Sequence, residues 1–272
     1  MRLPLVNVAS PVNWAAPLNR GLLSWWMNLP SGQWGRGTLM RDLCRQQDAT
    51  LTNGAGWAGP IGRRGGYGSF LFDGTNDVSR FTYSRSGPTQ MSVFASVYVN
   101  NFTDFNSTFC IGTGGDRMVY LDTRATTGLV HFSFTQGHNT HKGLSSTNAI
   151  TTGQWYRIGG TYKSGEHSVY INGVRDATTG SFTGNPDNAE TFGSIGAIYE
   201  DTETSITNAF DGYMDDLRFY NRALSQDEAL ADYKNSLGSW EQELNWVRPW
   251  CYPGGTATAN RRRRYIILAG AA

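Results

Sequence analysis

Short runs of alternating apolar and polar residues, interrupted by glycine, asparagine, serine or threonine, fill most of this chain. Met91 to Val99 places Met91, Val93, Ala95, Val97 and Val99 on one face and Phe94 and Tyr98 on the other. Apolar groups on both faces predict a central strand of a sheet. Gln154 to Tyr162 and His167 to Ile171 predict two more strands. Between Ile171 and Val174 stands Asn172-Gly173, the pair suited to a two-residue turn that needs positive φ at both central positions. Further on, an apolar-alternating strand carries Asp215-Asp216 and runs through Tyr220. Ser225 followed by Glu228 then forms a capping box, which predicts a helix over about 226–234.

Composition agrees with a β protein. The 272 residues include 33 glycines, enough chain for one large sandwich with its own core. Lys and Arg number 23 against 22 Asp and Glu, a net charge of +1, which argues against a broad nucleic-acid footprint. The local exception is Arg261, Arg262, Arg263 and Arg264. Three cysteines (Cys44, Cys110, Cys251) make no paired framework and are expected to be reduced. No Cys-x-x-Cys occurs, and the four histidines show no zinc-ligand spacing relative to the cysteines. The start, M-R-L-P-L-V-N-V, is too short and broken an apolar run for an export signal, and no apolar segment is long enough to span a membrane. The expectation is therefore a protein made in the cytoplasm and used in a virion or other assembled particle.

Three parts are expected. Residues 1–17 form an extended arm, since prolines at 4, 11 and 17 disfavour helix. Residues 18–234 form the sandwich, and residues 235–272 a tail rich in Trp and Arg. Of the nine tryptophans, only Trp155 lies in a central predicted strand; Trp14, Trp25, Trp26, Trp34 and Trp57 are expected to line one end of the sandwich.

Seven segments in order carry a family likeness. They are R-G-L-L-S-W-W (Arg20 to Trp26), the Asp42 to Trp57 stretch, F-D-G-T-N-D (Phe72 to Asp77), Met91 to Val99, Thr152 to Tyr162, Val169 to Val174, and D-G-Y-M-D-D-L-R-F-Y-N-R-A-L-S from Asp211. Together they resemble the laminin G-like branch of the concanavalin A-like lectin/glucanase superfamily. That resemblance implies an all-β fold: a two-sheet antiparallel β-sandwich (jelly roll) with one short C-terminal helix and extended N- and C-terminal arms. It also implies that F-D-G-T-N-D pairs with the last strand, and that some members bind calcium. Here Asp73, Asp77, Asp216 and Asn28 are the candidate ligands, although Met27-Asn28-Leu29-Pro30 departs from the acidic or Asn-Glu pair usual in relatives.

Glucanases of the superfamily take their carboxylates from a Glu-x-Asp-x-(x)-Glu string, and no such string occurs here. Glu200, Asp201 and Glu203 come nearest and read as a polar loop. Gly-x-Ser-x-Gly and His-Glu-x-x-His are absent too, so an enzyme is not expected. Loop aromatics Trp34, Trp57, Tyr67 and Tyr199 are candidate platforms for a glycan. Trp240, Trp246, Trp250, the four arginines and Tyr265, Ile266, Ile267 and Leu268 are candidates for docking onto neighbouring subunits, the last four by strand addition. Single-domain chains of this kind with an Arg-rich, apolar end resemble bacteriophage virion components. The first function expected is thus a non-catalytic decoration, fibre or adhesion component of a particle, whose partners are neighbouring subunits in a homo-oligomer or lattice and glycans. A free-standing, calcium-dependent lectin module is the alternative, and a polysaccharide-active enzyme the third.

Overall fold

The computed structural model describes residues 12–28, 37–58, 68–85, 87–102, 104–113, 116–137, 140–187, 190–200 and 205–239. The first strands are β1 (Leu22–Trp26), β2 (Leu39–Met40), β3 (Ala49–Thr52), β4 (Gly56–Ala58), β5 (Ser69–Asp73) and β6 (Val78–Thr82). Longer ones follow: β7 (Met91–Val99), β8 (Asn106–Gly112), β9 (Arg117–Thr123), β10 (Leu129–Thr135), β11 (His141–Ala149) and β12 (Trp155–Lys163). Then come β13 (Glu166–Ile171), β14 (Val174–Gly180), β15 (Phe192–Ile195), β16 (Ile198–Tyr199), β17 (Ile206–Thr207), β18 (Asp211–Tyr220) and helix α1 (Gln226–Lys234).

Two antiparallel sheets face each other. The first runs β14-β13-β12-β7-β18-β5-β4, with β1 also on β18; the second runs β11-β10-β9-β8-β15-β6-β3-β2. This is the expected sandwich. Asn172 (φ 51°) and Gly173 (φ 76°) make the β13–β14 turn, and Ser225 and Glu228 cap α1 reciprocally. The F-D-G-T-N-D segment does lie beside the last strand, with Asp73 opposite Asp211 and Phe72 opposite Gly212. Gly74 sits there at φ +76°, where a Cβ would come within 2.7 Å of the Asp211 Cβ, so the turn requires glycine.

Between the sheets lies the main core, including Trp26, Phe72, Phe81, Phe109, Phe132 and Phe219. Trp26 packs 5.0 Å from Phe81 and 6.0 Å from Phe109, ring centre to ring centre. Neighbours on a strand point to opposite faces. Trp25 therefore enters a second cluster on the far side of the first sheet, with Val12, Leu18, Leu22, Tyr220 and Ala229. Neither tryptophan lines an end of the sandwich, because both belong to β1 and both are fully buried. Val12 is fully buried as well, so packed structure has begun by that residue.

Under α1 the second cluster encloses charge. Arg157 on β12 donates from Nε and Nη2 to the Asp232 carboxylate of α1 at 2.6 and 2.9 Å, and from Nη1 to the Asp216 carbonyl. Arg218 donates from Nε to Asp216 Oδ1 at 2.8 Å and lies 3.4 Å from Asp232. The Trp25 indole N–H donates to the same Asp216 oxygen at 2.6 Å, and the Arg218 guanidinium lies 4.1 Å from the Trp25 ring centre. All four ionic side chains are fully buried. Burial pulls the Arg157 pKa down, but Asp232 and Asp216 more than offset it, and the net direction is up. Asp216 reaches the cluster through a bulge opposite β7, where its φ is 52°, a left-handed conformation uncommon outside glycine.

Candidate functional site

The four residues expected to hold calcium do not form one site. Asp73 and Asp77 share the turn after β5, where Asp77 Oδ2 accepts the Asp73 N–H at 2.9 Å. Asp73 Oδ1 is taken by the Thr75 N–H at 2.8 Å. Burial and the neighbouring Asp73 push the Asp77 carboxyl up. Asp216 is locked under α1, and the backbone N–H of Asn28 donates to Asp215 at 3.0 Å. The acidic residue that does reach the turn is Asp211, whose two oxygens accept from the Asn100 and Asn101 side-chain amides. No group of three or more His, Cys, Asp or Glu suited to a metal occurs among the described residues. Asp73 and Asp216 are held by N–H donors, while Asp77 Oδ1 is buried without one; the four residues are too scattered to form the expected calcium set.

The aromatic candidates also part company. Trp57 belongs to the first sheet, donates to the Gly37 carbonyl at 3.0 Å and packs 4.7 Å from Phe70. Tyr199 lies beside the second sheet, 5.9 Å from Phe192, with the Arg80 guanidinium over both rings. Trp34, Tyr67, Trp240, Trp246, Trp250 and residues 261–268 lie outside the described residues.

Beside Tyr199, the side of the second sheet away from the core carries a set of polar side chains, most of them buried, with Ile198 packed on Cys110 and Tyr120. Strands β8, β9 and β10 alternate strictly enough to have announced it: Val119 and Leu121 against Tyr120 and Asp122, and Val130, Phe132 and Phe134 against His131, Ser133 and Thr135. The apolar set fills the core; the polar set lies on the opposite side of the sheet, where Tyr120, Asp122, His131, Ser133 and Thr135 are themselves buried. The pairing registers line up two rows across that outward face. One runs Thr50, Arg80, Ser194, Cys110, Tyr120, Ser133, Gly143. The next runs Ser107, Asp122, His131, Ser145.

Arg117 lies 4.9 Å from the Tyr120 ring centre, and Arg124 lies 5.1 Å from that of Phe105. Asn208 donates to the Tyr120 hydroxyl at 3.2 Å, and His131 Nδ1 pairs with the Ser145 hydroxyl at 2.9 Å. The His131 ring can lie flat here because position 143 is glycine: a Cβ would stand 2.5 Å from His131 Cε1. At the centre, Asp122 is wholly buried, with Arg124 Nε 3.6 Å from its Oδ1. Neither Asp122 oxygen meets a hydrogen-bond donor at bonding geometry, and the nearby Ser107 and Thr108 hydroxyls are in the same condition. Burial pushes the Asp122 carboxyl up to about 7, against the opposing pull of Arg124, Tyr120 and Arg117. Burial likewise pulls His131 down to about 3, with Arg124 adding to the effect. These groups can accept and donate hydrogen bonds at neutral pH without carrying matched charges.

The comparisons with known proteins bear on the fold. The solved structure of Trypanosoma rangeli sialidase in complex with sialic acid superposes with a TM-score of 0.58 at 15% identity, over 81% of this chain and 34% of that one. The botulinum neurotoxin serotype D binding domain gives 0.60 at 11%, over 80% of this chain and 51% of that one. A botulinum neurotoxin type C structure, titled for cell entry through two ganglioside molecules, gives 0.60 at 10%, over 82% and 53%. This chain thus spans about a third to a half of the structures it matches. No curated protein sequence matches it. Residues 72–229 match the family pattern described as concanavalin A-like lectin/glucanases superfamily, more than half of the chain, and this protein belongs to that family.

Proposed function

We propose that this is a non-catalytic carbohydrate-binding protein that takes a saccharide across the outward face of its second sheet. The observation that carries the reading is the pair of polar rows centred on Tyr120, Asp122 and His131, with buried acceptors and hydroxyls that lack partners. Sugars offer hydroxyls for such acceptors and an apolar face for an aromatic ring, and Tyr199 beside Arg80 supplies the ring. The printed subjects of the similar structures, sialic acid and gangliosides, support the same reading. Glycoside hydrolysis commonly needs two carboxyl groups about 5–9.5 Å apart. Across its two neighbouring strands Asp122 faces Ser107 and His131, not a second carboxylate. The finer reading, a decoration, fibre or adhesion component of a virion-like particle, is supported by the Pro-rich start and the Trp- and Arg-rich end of the sequence.

An array of immobilised glycans tests the proposal. The whole chain is expected to retain a defined group of saccharides and release them on exchange of Tyr120 for alanine. Retention of none, or retention unchanged by Y120A, contradicts it.

A further inference from the structure

The first sheet carries an aromatic row on the side away from the core. On β7, Val97 and Val99 enter the core, so Tyr98 between them points the other way. Trp155 of β12 and Tyr213 of β18 both pair with Tyr98, and Leu71 of β5 pairs with Tyr213. The four side chains thus cross four adjacent strands, a span of about 14 Å at the usual strand spacing. Tyr98 lies 5.8 Å from Trp155 and 5.6 Å from Tyr213, ring centre to ring centre, and both pairs meet edge to face.

The cover over this face of the sheet stops just short of the row. Two residues back along the strands, Arg157, Ser96 and Asp215 are neighbours and all buried, held by Asp232 of α1 and the Asn28 N–H. Trp155, Tyr98, Tyr213 and Leu71 are only half-buried. Two residues on in the other direction stand Asn100, Asp211 and Asp73, of which Asn100 and Asp73 are exposed. Residues 151–154, beside Trp155, are exposed as well. The indole N–H groups of Trp25, Trp26 and Trp57 all have acceptors. That of Trp155, like the Tyr98 and Tyr213 hydroxyls, makes no hydrogen bond among the described residues. Asp73 takes its side-chain donors on Oδ1, which leaves Oδ2 open.

Half-open rings with free polar tips, bordered by carboxylate and amide oxygens, match what a sugar offers: an apolar ring face to stack and hydroxyls to hydrogen-bond. The edge-to-face steps give a corrugated surface, which suits puckered rings and denies a flat base the parallel faces it stacks on. Asp73 and Asp211 repel phosphate and acidic sugars, and aspartate is depleted from protein interfaces. We propose that this row is a second saccharide site, independent of the one on the opposite sheet, and that it takes a neutral oligosaccharide laid across β12, β7, β18 and β5. An open row without walls binds weakly and releases quickly, so washing an array empties it and free solution is where it is read.

Nitrogen–proton NMR of the full chain tests the proposal with the soluble hexasaccharides of glucose and of mannose, and with that of galacturonic acid as the charged counterpart. The Trp155 indole signal, identified by its loss in Trp155→Phe, is expected to shift with a neutral sugar, together with the amides of Tyr98, Asn100 and Tyr213. The charged sugar should move it less. The paired exchange Tyr98→Phe with Tyr213→Phe keeps the rings, should leave the urea midpoint in place, and is expected to raise the half-saturating concentration about tenfold. No shift at Trp155 with either neutral sugar overturns the proposal. So does a shift that the Phe pair leaves unchanged, or one equally strong with the charged sugar. A sugar that moves Tyr120 and His131 but not Trp155 is held by the second sheet, and this proposal then falls alone. If the row's signals broaden with protein concentration while no sugar moves them, the row is a contact between copies and the proposal fails.

Discussion

The Asp232→Ala variant is expected to lose ~3–5 kcal/mol of stability, because it leaves buried guanidinium charge without its counter-ion. Arg157 and Arg218 both lean on the Asp232 carboxylate, at 2.6 and 3.4 Å, and neither has water to turn to. For a chain of this size that is a fall in Tm on the order of 10 °C. The loss should exceed that of the paired exchange Arg157→Met with Asp232→Leu, since removing both charges also removes the cost of burying them. A double-mutant cycle in urea checks the point: a coupling energy near zero between residues 157 and 232 would mean that the cluster is not what holds α1 on the sheet.

Asp122→Asn is expected to change how stability depends on pH. In the folded protein the Asp122 carboxyl titrates at about 7 instead of 3.8, so the unfolded chain releases its proton first. Stability from this group is complete below the unfolded value, falls as pH rises from about 4 to about 7, and is then gone. The span of roughly three pH units is worth at most on the order of 4 kcal/mol. His131 and His167 work the other way. Burial holds them near 3 and 4, so they stay neutral when folded and take up protons when unfolded below about 6.5. Their contribution is therefore lost as pH falls from 6.5. Between about pH 4 and 6.5 the two buried histidines together outweigh Asp122, a net gain from these three groups of ~1.4 kcal/mol per pH unit; above 6.5 Asp122 works downward. Relative to the wild type, the Asn variant should gain ~1.4 kcal/mol more per pH unit between about pH 4 and 7. Parallel urea midpoints for the two proteins across pH 4 to 8 would contradict this assignment.

The parts of the fold legible in the sequence are those whose cause is local. Asn172-Gly173 must turn because both residues tolerate positive φ, and Ser225 with Glu228 must cap because each satisfies the other's backbone N–H. The pairing of the 72–77 segment with the last strand was legible as a family pattern, though the acid that meets Asp73 is Asp211, not Asp215 or Asp216. What escaped depends on contacts far apart along the chain. Nothing near Arg157 announces Asp232, seventy-five positions on. Asp216 reads as a ligand until the bulge at that residue turns it toward Trp25 and Arg218. Trp25 and Trp26 look like one aromatic patch until the strand sends them to opposite sides of the sheet. The outward face of β8 to β10 was there to be read in the alternation of Tyr120, Asp122, His131 and Ser133. The described loop aromatics do not converge on it: Trp57 packs on the first sheet and Tyr199 beside the second.

Backbone amide NMR of the labelled chain, titrated with a saccharide retained on the array, tests the central claim most directly. The account predicts that the shifts concentrate on Tyr120, Asp122, His131, Ser133 and Tyr199 on the second sheet. Shifts confined to the turn around Asp73 and Asp77, or to Trp57 on the first sheet, would contradict it.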